Sequence, residues 1–378
     1  MKQPLSDIRV LDLTRLLPGP YGSLLLADLG IEVIKVEQPV KGDYLREISY
    51  ARFSSLNRNK KSVTLDLKTA EGKDIFYKLV KTADVVMEGN RPEVVKRLGV
   101  DYDTLKEINP KIIYCAISGY GQISPYKFLP GHDINYMGVA GALALTNEPN
   151  GPPPLPIADF SSGMFAAFAI LAALMIREKA GVGQYLDVSM TDGVLSWMGP
   201  YIAEFQATCK LEKRNDKWRP GYGIFKCSDD KYITLGVVED WFWVNLCKVI
   251  GRPELADDPK FKTLGCRSKN ITEVYPVIEK ALYTKTAEEW IRIMNENDVP
   301  CGPVNSIDDL AADPHVIQRK LMMDGKDFFG SAFPVAFSQT PVRARLKTPS
   351  LGEHTEDILK ELQYLDSDIE KLKANKII

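Results

Sequence analysis

Three residues of this chain have both the type and the surroundings for proton or acyl chemistry. His132 stands in Pro130-Gly131-His132-Asp133-Ile134-Asn135-Tyr136, just ahead of an apolar stretch over 137–145. Gly131 allows a tight turn there, and a helix start exposes unpaired backbone N–H groups that favour negative charge on a ligand. Imidazole titrates near neutral pH, so His132 suits a general base as well as a structural role. Asp159 heads a strongly apolar run, where a carboxylate serves as a helix N-cap or as a base or nucleophile. Glu239 follows Leu235-Gly236-Val237-Val238 at a strand-to-helix junction, where capping is again the competing role. An imidazole and a carboxyl group together can remove a proton from a carbon next to a carbonyl and return one. A further carboxylate can orient such an imidazole, and the backbone N–H groups after His132, that of Asp133 above all, can donate to a developing oxyanion.

A second set is basic. Arg58, Lys60 and Lys61 form one concentrated run, and Arg91 and Arg97 follow a strand-like segment that ends near Met87. Such residues hold phosphates, although a solvated charged face produces the same pattern. The three histidines, His132, His315 and His354, lie far apart, and the six cysteines form no CxxC. Metal-ligand and redox spacing are therefore both absent, and reduced, mostly buried thiols are expected.

These residues need a scaffold, and 378 residues suffice for about two domains. Lys and Arg number 48 against 50 Asp and Glu, a net charge of -2, so no global field attracts nucleic acid or anionic lipid. The start lacks the apolar core of a secretion signal and the end matches no retention address, which predicts a cytoplasmic protein. The longest apolar run, 164–176, is too short for a bilayer and predicts a buried helix.

The first half alternates β-branched runs at 8–13, 32–36, 83–87 and 111–117 with helical patterns such as 69–81. This predicts an α/β fold with a doubly wound parallel sheet, ligands lying beyond the carboxyl ends of its strands. Leu16-Leu17-Pro18-Gly19-Pro20 follows the first strand in place of GxGxxG, which disfavours a nicotinamide site. A long helix over 159–179, ended by Gly181, precedes a strand at 185–188. The expected organisation is a large domain over 1–208, a polar linker at 209–221, a small α+β domain over 222–300 with a hairpin turning at Ser228-Asp229-Asp230, a return linker at 301–330, and a tail from 330 to 378 that rejoins the large domain.

Several motifs then occur in a specific order: Arg9-Val10-Leu11-Asp12-Leu13-Thr14-Arg15 with Gly19-Pro20, Ala27-Asp28-Leu29-Gly30, Val33 to Glu37, Asn57 to Ser62, Glu88-Gly89-Asn90-Arg91-Pro92, Gly131 to Tyr136, and Gly181 to Gln184. Through them the chain resembles the class III CoA-transferase and α-methylacyl-CoA racemase family over residues 5–315. The resemblance implies an interlocked homodimer acting on an acyl-CoA, with CoA carried as part of the substrate and no prosthetic group or metal. It matches His132 and Asp159 to the opposed acid–base pair of the racemase branch and Glu239 to the partner of the histidine. In the transferase branch the Asp159 position is a nucleophile, and a glycine-rich loop stands where this chain has Val237-Val238-Glu239. The sequence therefore favours racemisation of 2-methylacyl-CoA thioesters, with CoA transfer as the alternative. CoA contacts are implied at Arg15, Leu16, Gln38, Arg58, Lys61, Leu65, Lys68, Gly89, Asn90, Arg91, Arg97 and Tyr136. Many relatives carry Arg at the position of Gln38, so either a weaker hold on a CoA phosphate or a contact from Lys35 or Lys41 in its place is expected.

Overall fold

A computed structural model describes residues 4–145, 153–210 and 219–378. The chain divides into two compact units, one of Met1–Leu143, Asn150–Leu211 and His315–Ile378, the other of Ala144–Pro149 and Glu212–Pro314. Part of the expected 209–221 linker, 211–218, lies outside the described residues.

The first unit is built on a parallel sheet of six strands: β1 (Arg9–Asp12), β2 (Glu32–Glu37), β3 (Lys60–Thr64), β4 (Val85–Glu88), β5 (Ile113–Ser118) and β6 (Tyr185–Ser189). Their order, β3-β2-β1-β4-β5-β6, reverses direction beside β1 and makes the sheet doubly wound. Alternation sends side chains to two cores. Leu11, Ile34, Val86 and Tyr114 face Ile75, Phe76 and Leu79 of the Ala70–Thr82 helix. Val10, Val33, Met87 and Ile117 face Leu26, Ala166 and Ile170 on the other side. Strands buried on both faces read as continuous apolar runs, which is why β1, β2, β4 and β5 were visible in the sequence; β6 was expected as well, at 185–188.

β3 was not. Its first residues are the lysines of the basic run, and the register Val33↔Lys60 and Ile34↔Lys61 places them in the sheet. Edge strand β3 is covered by the chain's return. Asn59 N donates to Leu346 O at 2.9 Å, Thr64 N to Thr355 Oγ1 at 3.0 Å, and Asp66 N to Ile377 O at 2.8 Å. His354 Nδ1 accepts from Ser62 N at 3.3 Å, so this histidine belongs to the covered edge.

The long apolar helix runs Ile157–Ala180 and ends at Gly181, whose φ of +75° suits glycine. By length and composition it could cross a membrane. It instead buries one stripe, including Ala158, Gly163, Ala166 and Ile170, against the sheet and the Pro18–Asp28 helix. The opposite stripe, with Phe168, Met175 and Ile176, is exposed, so the expectation of a buried helix holds for one face only.

In the second unit β7 (Tyr222–Lys226) and β8 (Tyr232–Gly236) form the expected antiparallel hairpin. β9 (Cys301–Pro303) pairs with β8 where the sequence suggested the start of a return linker; at three residues it is too short for a period-2 pattern. Of the six thiols, Cys115, Cys227 and Cys247 are buried, whereas Cys209 is exposed.

Candidate active site

The carboxyl ends of β1 to β4 open into a cavity of about 510 Å³. Its wall contains Arg15 after β1, Gln38 after β2, Leu65 and Lys68 after β3, and Asn90 and Arg97 after β4. Arg15, Lys68 and Arg97 are exposed and have no carboxylate partner among the described residues, whereas the wall's Glu37 is bonded to Arg46 at 2.7 Å and its Asp43 to Lys35 at 3.0 Å. A near-neutral chain thus presents a local excess of free cations at the ligand-binding end of a doubly wound sheet.

Two basic residues expected here are engaged elsewhere. Arg58 is buried, donating to Asp28 Oδ2 at 2.6 Å and Oδ1 at 3.1 Å. Strand alternation turns Lys61 to Glu32, 2.6 Å away. Lys60 lies fully buried within 2.8 Å of Ser23 Oγ, 2.9 Å of Asn57 Oδ1 and 3.4 Å of Asp12 Oδ2. Burial lowers its pKa to about 8, offset in part by Asp12. Burial alone would raise the Asp12 carboxyl, but Lys35 and Lys60 overcome it and hold it at about 2. The run is structural because each of its three cations is held in an ion pair, Arg58 and Lys60 buried and Lys61 partly exposed. Lys35 is likewise sealed beneath the cavity with Asp43, so of the two substitutes for an arginine at Gln38 only Lys41 is exposed. Leu16, Gly89, Arg91 and Tyr136 do not line the cavity.

The chemical residues lie on two neighbouring helix starts. His132 is the exposed N-cap residue of the Asp133–Val139 helix, its backbone N–H donating to Asn135 Oδ1 at 3.0 Å. Asp159 is not an N-cap: the helix begins two residues earlier, with Pro156 in that position. The cap comes from Asp133, whose Oδ1 accepts from Ala158 N at 2.6 Å and Asp159 N at 3.2 Å. This bond ties the two helix starts together and leaves the Asp159 carboxyl uncommitted. Burial, then the nearby Asp133 charge, raises the Asp159 pKa to about 7. Tyr136, below the same turn, donates to Gly131 O at 2.6 Å. Glu239 occupies the N-cap position of the Asp240–Val249 helix in the second unit, exposed and making no cap bond; Asp240 instead accepts from Leu264 N at 2.9 Å.

One carboxyl was passed over in the sequence. Glu88 ends β4 with 2% exposure, and its Oε2 accepts only from Asn90, at 2.7 Å from N and 3.2 Å from Nδ2. Burial raises its pKa to about 7, against those two hydrogen bonds. A lone Glu at the end of an apolar strand was the available signal.

Fold and site together define a doubly wound α/β protein with a cation-lined cavity at the carboxyl ends of its strands. The sequence matches the profile of CoA-transferase family III over residues 5–355, and the chain belongs to that family. It is 35% identical to the succinate–glutarate CoA-transferase of Agrobacterium fabrum, covering 97% of each chain. It is 34% identical to the succinyl-CoA–D-citramalate CoA-transferase of Chloroflexus aurantiacus, covering 100% of this chain and 98% of the relative. Among solved structures, a CaiB/BaiF family protein of Brucella suis superposes with a TM-score of 0.87 at 31% identity, covering 96% of this chain and all of that one.

Proposed function

We propose that this protein transfers CoA from an acyl-CoA to a carboxylic acid, with the Asp159 carboxylate as nucleophile. The sequence by itself favoured a racemase; the relatives named as CoA-transferases over almost the whole chain move the balance to the alternative. The observation that carries this reading at the residue level is Asp159, a carboxyl with no cation partner among the described residues and a pKa raised to about 7. A carboxylate of that basicity is a stronger nucleophile than an ordinary aspartate, yet a useful fraction is ionised at neutral pH.

One Asp159 oxygen attacks the thioester carbonyl, the C–S bond breaks, and CoA thiolate leaves a mixed anhydride behind. The thiolate then attacks the aspartyl carbonyl of that anhydride, which releases the donor acid and leaves CoA as a thioester on Asp159. An incoming carboxylate displaces the thiolate to form a second anhydride. Attack of the thiolate on the new acyl carbon delivers acyl-CoA and regenerates the Asp159 carboxylate. Arg15, Lys68 and Arg97 would hold the phosphates of CoA throughout, and no prosthetic group is required.

Racemisation remains as a second reading because His132 stands at a helix start joined to that of Asp159 through Asp133. Trapping separates the two. Incubation with acyl-CoA and hydroxylamine, followed by peptide mapping, is expected to label Asp159 stoichiometrically and at a competent rate. An unlabelled Asp159 together with exchange of the α-proton in deuterated buffer would overturn the transferase. The interlocked homodimer implied by the resemblance belongs to the same proposal, and light scattering at twice 42.3 kDa is its check.

A further inference from the structure

The loop that carries Arg15 contains a residue in a conformation it does not favour. Leu16 has φ +66°, in the left-handed region where a side chain crowds the following carbonyl. Asp43 holds it there: both carboxylate oxygens accept from the Leu16 amide, at 3.1 and 3.2 Å. Asp43 Oδ1 also accepts from Leu45 N at 3.0 Å, and Oδ2 lies 3.0 Å from Lys35 Nζ. Lys35 in turn donates to Thr14 O at 2.8 Å, and both charged side chains have no exposure. The pair therefore grips the turn one residue before Arg15 and one residue after it. Arg15 alone points outward. Its guanidinium donates to Tyr44 Oη at 2.7 Å and to Asn90 Oδ1 at 3.1 Å, along the cavity wall.

We propose that Asp43 is a positioning residue for CoA binding, which fixes the left-handed turn at Leu16 and thereby aims the Arg15 guanidinium at an anionic group of the ligand; this rests on the CoA reading given above. Direct contact is the wrong role for it. Its oxygens are committed to two amides and a lysine, and an anion facing a polyanionic ligand would repel it. What it offers the site is geometry, since a guanidinium must be aimed to form directional bonds to phosphate.

Calorimetric titration of the full chain with CoA itself tests this without relying on turnover. Asp43→Asn is expected to weaken binding about tenfold, with kcat on saturating acyl-CoA much less affected. Added to Arg15→Ala, the same change should cost nothing further, because both act through one guanidinium. Wild-type affinity in Asp43→Asn, or losses that multiply in the double variant, would overturn the assignment. If Asp43→Asn fails to fold for lack of a partner to Lys35, Leu16→Val decides, since a β-branched residue resists this turn while the ion pair stays intact. About tenfold weaker binding by Leu16→Val, with Leu16→Gly binding more tightly than Leu16→Val, supports the proposal; unchanged binding by Leu16→Val overturns it. A wild-type chain that does not bind CoA takes down the CoA reading and this inference together, which distinguishes that failure from the others.

Discussion

Asp159 sets reactivity against stability. Its pKa rises from an ordinary aspartate value to about 7 in the fold, so between pH 4 and 7 the folded state binds more protons than the unfolded one. Stability from this group is complete below pH 4 and is lost as pH climbs through 7. Asp159→Asn removes the titration. It is expected to lower CoA transfer at least about 10³-fold, yet to be more stable than wild type at pH 8 by roughly 1–3 kcal/mol, a difference that shrinks toward pH 4 in urea titrations. Wild-type kcat/KM should rise about tenfold per pH unit below 7 and level above it, because the nucleophile is the ionised form. The two arginines once expected at the same ligand separate in the same experiments. Arg97→Ala should raise KM for acyl-CoA roughly tenfold with stability changed by under about 0.5 kcal/mol. Arg58→Ala should cost about 3–5 kcal/mol of stability by stranding Asp28, with the KM of the remaining folded protein near wild type.

At the scale of elements, the approach of the Pro18–Asp28 and Ile157–Ala180 helices aims Asp159. Gly22 and Gly163 meet at the crossing: a Cβ on Gly163 would lie 2.4 Å from Pro18 O, and one on Gly22 2.7 Å from Gly163 O. Backbone cannot move aside as a side chain can, so the helices must separate. Gly163→Ala gains about 1 kcal/mol of helix propensity but incurs about 1–3 kcal/mol of overpacking. The net expectation is destabilisation. Asp159 lies one turn away on the same face, and kcat should fall more than CoA affinity does, as steady-state kinetics beside calorimetry would reveal.

For the molecule as a whole, a net charge of -2 gives no long-range attraction for a polyanion. Association depends on the local excess around Arg15, Lys68 and Arg97. The kcat/KM for acyl-CoA should therefore decline with ionic strength between about 0.05 and 0.3 M while kcat stays nearly constant. A kcat/KM insensitive to salt would remove these residues from phosphate binding.

The sequence by itself determined most of the parallel sheet, since strands buried on both faces must be apolar along their length, and the C-terminal end of the long helix, since Gly181 takes a left-handed turn there without strain. The ordered motifs from Arg9 to Gln184 likewise carried the family. Tertiary structure decided which charges are free. Arg58, Lys60 and Lys61 differ from Arg15, Lys68 and Arg97 in nothing local; only the fold brings Asp28, Asp12 and Glu32 to the first group, in ion pairs that are buried for Arg58 and Lys60 and partly exposed for Lys61. The same holds for the carboxylates. Asp133 was singled out for its backbone amide; that its side chain caps the helix of Asp159, from 26 residues away, was not legible in the sequence. Hydrogen bonds between residues so far apart depend on the path of the intervening backbone, and no periodicity or motif spacing encodes that path.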